Sequence, residues 1–245
     1  MISCASVGAL GMGSLPRLML GTSPFLGAGQ FGERAYDYLG RFYGKPERIA
    51  KIIDACWDLG VEGIQLIPES YIVEALKLWE KRTGNRMVVV SSIYNLQDMD
   101  RLLEMFEHAG ILLHASLADR HNRDLVASFV DHARERGVLG GLVSHVPYRT
   151  LLWASSSGIR IDVAMVPINK MGYMMDAPLS EIARVIKGLG CQIIAKKVLA
   201  AGRLPVREAL EYVCGIDFID SLEIGVSTVE EAIETFGLAK EYMRI

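Results

Sequence analysis

The sequence has few cysteines, no long apolar run and no block of like charge. Its four cysteines, Cys4, Cys56, Cys191 and Cys214, lie far apart without C-x-x-C spacing, which favours reduced, packed thiols over disulfides or a zinc site. No apolar run reaches the roughly 18 residues that a membrane helix needs. Residues 1–16 lack a basic segment and are broken by Gly and Pro, so they do not predict a signal peptide. A cytoplasmic protein is expected.

The composition is that of a folded enzyme rather than of a disordered or nucleic-acid-binding chain. Hydrophobic residues make up 51% and charged residues 22% of the 245 residues, as in ordinary globular domains. The net charge of −3 is small, and no basic stripe predicts contact with nucleic acid. The expected partner is therefore a small molecule, and self-association into a homo-oligomer stays open.

Eight short apolar runs alternate with longer amphipathic segments. The runs are mostly continuous, as in strands buried on both faces, and they lie at 17–21, 63–67, 87–91, 111–114, 140–144, 161–166, 192–197 and 221–225. The amphipathic segments predict helices at 46–59, 71–82, 96–109, 125–136, 149–156, 179–189, 205–213 and 229–243. Eight βα units in about 250 residues predict a single (β/α)8 barrel, a TIM barrel, spanning 1–245.

Glycines follow the ends of five predicted helices, where a left-handed C-cap favours them. They are Gly60, Gly110, Gly137, Gly158 and Gly190. In a (β/α)8 barrel the chemistry lies on the loops that follow the carboxyl ends of the strands. Any active site is therefore expected on that face.

The segment 22–45, after the first strand, is long and rich in glycine and aromatic residues. It lies on the face where barrels keep their chemistry, so it predicts a lid or a pocket wall. Gly27, Gly29 and Gly32 match the G-x-G-x-x-G pattern of dinucleotide-binding loops. Glu33 and Arg34 are expected to continue the loop rather than to open a helix, which favours a flexible glycine loop over that fingerprint.

The loops after strands seven and eight predict an anion site. Strand eight ends at Gly225, and Ser227 and Thr228 then open the last helix, whose backbone N–H groups and dipole favour an anion. Arg203 follows strand seven, and barrels often bind phosphate with these two loops. A phosphorylated or carboxylated ligand is therefore expected. The alternative is an ordinary N-cap beside a tight turn.

Two histidines lie near the predicted mouth, because His114 ends strand four and His145 follows strand five. Either can move protons, and either can simply pack or hydrogen-bond. Asp119 and His121 lie between them, but the spacing matches no compact metal motif, so no metal is predicted. The remaining two histidines fall on predicted helices and are expected at the surface: His108 and His132.

Lys196 and Lys197 interrupt an otherwise apolar seventh strand. Because neighbouring side chains on a strand point to opposite faces, one lysine is expected inside the barrel and the other toward the helices. An inward, desolvated lysine can form a Schiff base or hold a carboxylate or phosphate, and the alternative is a lysine whose amine reaches solvent at the rim.

Other polar residues lie at the mouth without being diagnostic alone. Gln65 and Glu69 end or follow strand two, and Asn169 follows strand six. Each is a candidate for binding a substrate or a cofactor.

Strand two and most of the chain from strand four onward resemble the aldo/keto reductase superfamily. His114 resembles the active-site histidine, and Ser144 lies in the segment that resembles the one holding nicotinamide. Asn169 ends the segment that resembles the sixth strand, and 224–227 resembles the segment that helps bind cofactor phosphate. The resemblance implies the barrel fold and NADP as the cofactor, and it favours Lys196 as the inward lysine.

The chain departs from the catalytic set that this resemblance implies. The family's aspartate falls on Gln65, and its tyrosine falls on Ser70, with Tyr71 one residue away. The lysine that lowers the tyrosine pKa falls on Ser92 or Ile93, and Lys196 replaces the aromatic residue that stacks on nicotinamide.

Three functions follow as expectations. The first is an enzyme of the lyase, isomerase or hydrolase type, in which Lys196 and a histidine replace the redox set. The second is a divergent oxidoreductase that uses Tyr71 as its acid. The third is a non-catalytic binding or regulatory subunit, for which an apolar set after strand six would be the contact: Met171, Tyr173, Met174 and Met175.

Overall fold

The barrel is closed. In a computed structural model, which describes residues 14–244, eight parallel strands pair in sequence order and the last pairs with the first. The strands are β1 (Leu18–Gly21), β2 (Gly63–Leu66), β3 (Val88–Ile93), β4 (His108–Leu113), β5 (Leu139–Val143), β6 (Val163–Pro167), β7 (Gln192–Lys196) and β8 (Ser221–Gly225). The predicted (β/α)8 fold is confirmed. Cys4 and the stretch tested for a signal peptide lie outside the described residues, except for 14–16.

Helices surround the barrel. They are α1 (Arg34–Phe42), α2 (Pro46–Asp58), α3 (Ser70–Thr83), α4 (Leu96–Met105), α5 (Ala115–Ala118), α6 (Arg123–Glu135), α7 (Pro147–Ser157), α8 (Leu179–Leu189), α9 (Val206–Cys214) and α10 (Val229–Met243). Two short 3-10 helices, Ser23–Leu26 and Gly29–Phe31, precede α1. His132 lies on α6, as predicted, and its ring is 3.5 Å from the Asp100 carboxylate. No described helix is long and apolar enough to cross a membrane.

The segment after β1 is not the irregular loop that the sequence predicts. It contains the two 3-10 helices and α1, whose apolar residues recur at helical spacing from 35 to 42, although only Phe42 is buried. Polar contacts also hold the helix. Arg34 donates to the carbonyl of Ala201 at 2.5 Å, and Arg41 donates to the carbonyl of Ser227 at 3.2 Å. These two bonds tie α1 to the loops after β7 and β8.

A second prediction fails at the junction of α4 and β4. The helix ends at Met105, four residues early, because Phe106 turns extended, and β4 then begins at His108. Gly110 therefore lies inside β4 rather than at a helix C-cap. His108 is not a surface residue of a helix. Its ring lies within 2.9 Å of the Ser91 hydroxyl and 3.0 Å of the Phe106 carbonyl.

Apolar side chains fill two layers. One cluster lies inside the barrel and includes Met19, Val90, Leu112 and Ile194. The larger cluster lies between the strands and the helices. Beyond the inner cluster, the inward-facing residues at the carboxyl ends of the strands line the mouth of the barrel. The strands position the candidate site in this way.

Two glycines in β5 allow the backbone of neighbouring elements to pack closely against this strand. A Cβ at position 140 would lie 2.7 Å from the carbonyl oxygen of Val130 on α6. A Cβ at Gly141 would lie only 2.0 Å from the carbonyl oxygen of Val163 on β6. Both contacts are with backbone atoms, which a side-chain rotation cannot relieve. The strand therefore requires both glycines.

The described cysteines are unpaired. Cys56 is buried, whereas Cys191 and Cys214 are partly buried. Burial raises the pKa of the Cys56 thiol to about 12 and that of Cys191 to about 11. Thiols of this kind stay protonated and unreactive, in agreement with the prediction of packed, reduced cysteines.

Candidate active site

A cavity of about 770 Å³ opens at the carboxyl ends of the strands. Its size suits a small-molecule ligand. The segment after β1 forms one wall through residues that include Gln30, Phe31 and Tyr38, so the predicted pocket wall is confirmed. Gly27 in this segment serves packing, since a Cβ there would lie 2.5 Å from the carbonyl oxygen of Ala35 on α1.

Both lysines line the cavity. Lys196 ends β7 on the same inward face as Ile194. Lys197 follows the strand with a φ of 56°, so the extended backbone that places neighbours on opposite faces ends before it. The expectation that the second lysine points toward the helices is therefore wrong.

A carboxylate lies beside the lysines. Glu223 on β8 is 6% exposed and lines the cavity. Gly21 makes room for it, because a Cβ at position 21 would lie 1.6 Å from Oε1 of Glu223. The carboxylate thus occupies the space that a side chain on β1 would otherwise fill.

Gln65 lies on the other side of Gly21, with which it is in register across β1 and β2. It is 3% exposed and lines the cavity, and its Nε2 has no hydrogen-bond partner within the described residues. A buried amide donor without a partner is unfavourable. Gln65 therefore presents a free donor to a ligand at the floor of the cavity, close to the Glu223 carboxylate.

Burial shifts the pKa values of the three charged residues at the bottom of the cavity, Lys196, Lys197 and Glu223. It lowers the pKa of Lys196 well below the usual value, and the neighbouring Lys197 lowers it further. Burial also lowers the pKa of Lys197 to about 8, against the attraction of Glu223. The same burial raises the pKa of Glu223, while the two lysines act in the opposite direction. Burial and Lys197 therefore both favour the uncharged form of the Lys196 amine.

The two predicted histidines meet above this floor, with ring centroids 6.0 Å apart. Nδ1 of His114 accepts a hydrogen bond from the amide of Ser116 at 3.2 Å, so the neutral ring carries its proton on Nε2. Burial lowers the pKa of His114 to about 4 and that of His145 to about 3, and Lys196 adds to both shifts. Tyr94, which the sequence analysis missed, contacts His114 with centroids 4.4 Å apart.

Asp119 accepts hydrogen bonds that fix the loop after β5, which carries His145. Its Oδ1 accepts hydrogen bonds from Ser144 at 2.6 Å and from Thr150 at 2.8 Å, and its Oδ2 accepts one from the amide of His145 at 2.9 Å. Ser144 is fully buried and does not line the cavity. His121 contacts the Thr150 hydroxyl at 3.0 Å. Within residues 14–244 no group of three or more His, Cys, Asp or Glu side chains is placed to hold a metal.

Three further predicted residues lie away from the cavity. Tyr71 is buried on α3, donates to the carbonyl of Phe25 at 3.2 Å, and has a pKa that burial raises to about 12. Glu69 is exposed. Asn169 is buried, and its side chain bonds both backbone groups of Tyr173, at 2.8 and 3.0 Å. Its contacts are those of a residue that shapes the loop after β6.

The predicted anion site is occupied by groups of the chain itself. The amide and the hydroxyl of Ser227 donate to one oxygen of Glu231 at 2.7 and 2.9 Å. Thr228 caps α10 by accepting from the amide of Glu231 at 3.1 Å. Arg203 stacks on the Tyr173 ring at 4.3 Å and is not among the residues that line the cavity. This arrangement fits the ordinary N-cap that was the alternative interpretation.

The apolar set after β6 does not form one exposed patch. Met171 is 55% exposed. Tyr173 instead donates to the carbonyl of Gln30 at 3.2 Å, Met174 lines the cavity, and Met175 packs against the core.

Six of the predicted site residues line the cavity, namely Gln65, His114, His145, Lys196, Gly225 and Ser227. Six do not, namely Glu69, Tyr71, Ser144, Asn169, Arg203 and Thr228. Sequence reasoning missed Glu223, although a carboxylate inside an apolar strand is the same signal that singled out the lysines. It also missed Arg34 and Glu231, because they lie on helices and only the closed barrel brings them to the cavity.

We expect the free energy of unfolding to fall as the pH drops below about 6.5. The folded protein holds the pKa of His108 and His114 at about 4 and that of His145 at about 3, against 6.5 for an ordinary histidine. The unfolded chain therefore binds protons that the folded chain does not, and acid favours unfolding. Above about pH 6.5 the three rings are neutral in both states and add no pH dependence.

Denaturant titrations between about pH 7 and pH 5 measure this slope. The control is His108→Gln, which removes one of the three groups at a distance from the cavity, and its slope should be shallower than that of the wild type. An unchanged slope would contradict the assignment of His108 as a buried neutral ring.

A closed eight-stranded barrel whose mouth holds lysines, histidines and a carboxylate defines the class, a (β/α)8 barrel of the kind that carries active sites. No family model matches the sequence, and no curated protein matches it. Solved structures do match the fold. A suspected aldo-keto reductase from Pseudomonas aeruginosa superposes with a TM-score of 0.66 at 20% identity, covering 93% of this chain and 90% of that one.

Two other solved structures match the fold with lower TM-scores. An aldo-keto reductase from a deep-sea metagenome library of the Medee basin has a TM-score of 0.61 at 13% identity, covering 94% of this chain and 89% of the other. Orotidine 5′-monophosphate decarboxylase from Methanocaldococcus jannaschii has a TM-score of 0.52 at 15% identity, covering 79% and 93%. The chain thus has the fold of the aldo-keto reductases, and at these identities the likeness concerns the fold alone.

Proposed function

We propose that the protein is a lyase that binds a small carbonyl compound covalently through Lys196. The observation that carries the proposal is the Lys196 amine, 6% exposed on the floor of the cavity, with a pKa that burial and Lys197 lower. A neutral amine in such a site is a nucleophile toward carbonyl carbon. The adjacent Glu223 supplies a base.

Imine formation uses groups that line the cavity. The Lys196 nitrogen attacks the carbonyl carbon. The carbonyl oxygen takes one proton from that nitrogen and one from a donor, and it leaves as water while the nitrogen becomes a protonated imine. Lys197, with a pKa of about 8, is the available proton donor. The Nε2–H of the neutral His114 ring can donate a hydrogen bond to the carbonyl oxygen but keeps its proton.

Glu223 then acts on the hydroxyl group of a substrate that carries one at the β carbon. Its carboxylate accepts the hydroxyl proton, the O–H electrons form a carbonyl, and the bond between the α and β carbons breaks. The electrons of that bond move to the imine nitrogen and give a neutral enamine. Gln65 donates its free amide hydrogen to the same oxygen and orients it. Glu223 gives the hydroxyl proton that it accepted to the enamine carbon, and hydrolysis of the resulting imine by water returns Lys196.

The residues present do not fit NADP-dependent reduction, which the resemblance implies. Tyr71, the expected acid, lies outside the cavity, and its pKa is raised rather than lowered. Lys196 lies where the resemblance puts the aromatic residue that stacks on nicotinamide, and a lysine side chain offers no ring face for that contact. The Ser227 amide and hydroxyl donate to the Glu231 carboxylate, so these donors do not face a cofactor phosphate. No step is therefore assigned to this cofactor.

Reductive trapping tests the proposal. The protein is incubated with borohydride and one of a set of small carbonyl compounds, such as glyceraldehyde, dihydroxyacetone and pyruvate, and its intact mass is measured. At least one compound should add a single equivalent, which peptide mapping should place on Lys196. Slow, even labelling of exposed lysines with every compound would sink the proposal, because that pattern requires no activated amine.

A further inference from the structure

The cavity extends beyond the lysines to a second region, the distal subsite. It is lined by Arg34 and Tyr38 from α1 and by Glu231, Glu234 and Thr235 from α10. The proposed chemistry at Lys196 uses none of these residues. A ligand that fills the cavity must nevertheless contact them.

The arginines of α1 donate hydrogen bonds to backbone carbonyls on neighbouring loops. Arg34 donates to the carbonyl of Ala201 at 2.5 Å, and its guanidinium lies so close to Gly202 that a Cβ there would be 2.9 Å away. Arg41, on the next turns of α1, is directed in the same way to the Ser227 carbonyl. Both bonds hold α1 in place, and within the described residues neither arginine forms an ion pair. The lining of the subsite therefore carries one positive charge, on Arg34, against two glutamates.

The negative charge is placed where an anionic ligand would otherwise bind. Glu231 accepts from the amide and the hydroxyl of Ser227 at the start of α10, and Glu234 lines the cavity one turn further along. A carboxylate seated on these donors fulfils the role of a bound phosphate. A second anion in the subsite would face repulsion from both glutamates at short range.

We infer that Glu231 is a specificity residue that excludes phosphorylated compounds, and that the distal subsite takes the uncharged, hydroxyl-bearing end of the substrate. Hydroxyl groups donate to carboxylates, and Tyr38 and Thr235 offer partners of matching polarity. The inference rests on the proposed function for the position of the reacting carbonyl. It replaces the expectation of a phosphorylated ligand with that of an unphosphorylated hydroxy-carbonyl compound.

A binding experiment tests the exclusion without reference to catalysis. Melting temperatures are measured against inorganic phosphate for the wild type, Glu231→Ala and the control Glu230→Ala. Glu230 carries the same charge on the same first turn of α10 but does not line the cavity. Glu231→Ala should bind phosphate at least tenfold more tightly than the wild type, whereas Glu230→Ala should not. Glu231→Gln, which keeps an acceptor for Ser227, serves if the alanine variant does not fold, and it should gain affinity in the same direction.

Equal stabilisation of wild type and Glu231→Ala by phosphate would overturn the inference, and so would a folded Glu231→Ala that gains no affinity. A second arm compares the rates of reductive trapping with glyceraldehyde and glyceraldehyde 3-phosphate. The wild type should prefer the unphosphorylated compound at least tenfold, and Glu231→Gln should narrow that ratio. If neither these two compounds nor any other of the set is trapped, the proposed lyase function fails, while the phosphate result still decides the role of Glu231.

Discussion

Replacing Lys196 by methionine should abolish covalent trapping of carbonyl compounds, with a loss of about a thousandfold or more. Methionine matches the length of the lysine stem and removes the amine that attacks the carbonyl carbon. Because Lys196 is 6% exposed, an apolar side chain suits the same space. Lys197 remains to interact favourably with the Glu223 carboxylate, so the variant should fold. The rate of adduct formation, followed by intact mass, measures the effect.

Lys197→Met is the matched control for this prediction. It removes an identical side chain one residue away. Because Lys197 is a proton donor rather than the nucleophile, the adduct should form more slowly but still on Lys196. Lys197 lowers the pKa of Lys196, so its removal should raise that pKa and shift the pH profile of trapping to higher pH. A result in which Lys197→Met loses the adduct and Lys196→Met retains it would reverse the assignment of the nucleophile.

Replacing Gly141 by alanine should destabilise the barrel by about 3 kcal/mol or more. The added Cβ would lie 2.0 Å from the carbonyl oxygen of Val163 and 3.0 Å from Cδ2 of Leu112. Gly141 and Val163 are register partners across β5 and β6, so relief requires the two strands to separate. For a protein of this size that loss lowers the melting temperature by roughly 6–12 °C.

Gly188→Ala is a control that should change the free energy of unfolding in the opposite direction. Gly188 lies in α8, and no atom would lie within 4 Å of an added Cβ. Alanine should therefore stabilise the helix by about 0.5–1 kcal/mol. Melting curves of the two variants under one condition make the comparison. A mild effect of Gly141→Ala, similar in size to that of Gly188→Ala, would show that β5 and β6 do not approach as closely as described.

The barrel could be predicted from the sequence because its signals are local. Continuous apolar runs mark strands that are buried on both faces, and amphipathic segments mark the helices, so α8, α10 and β8 agree with prediction to the residue. α1 was missed although its apolar residues recur at helical spacing, because the glycines of its segment favour a loop. Hydrogen bonds from Arg34 and Arg41 to distant loops hold it in place. Those partners are adjacent only after the barrel closes.

The floor of the site could be predicted in part. Charged or polar residues at strand ends must face the mouth, and this rule identifies Lys196, His114 and Gln65. The strict alternation of a strand fails at Lys197, because its left-handed backbone follows the last residue of β7. Tyr71 illustrates the converse limit. It follows β2 in sequence, but α3 carries its ring into the core rather than to the cavity.

Gly21 and Glu223 restrict how this protein can change through evolution. An Oε1 atom lies where the Cβ of any other residue at position 21 would be, so a mutation there requires the acid on β8 to leave its present position, or to be shortened or lost. The two positions are therefore expected to co-vary among descendants of a common ancestor. A homologue that carries glycine and glutamate at these sites retains the room for a buried acid beside the lysines. One that has exchanged the glycine has lost that arrangement, however similar its barrel.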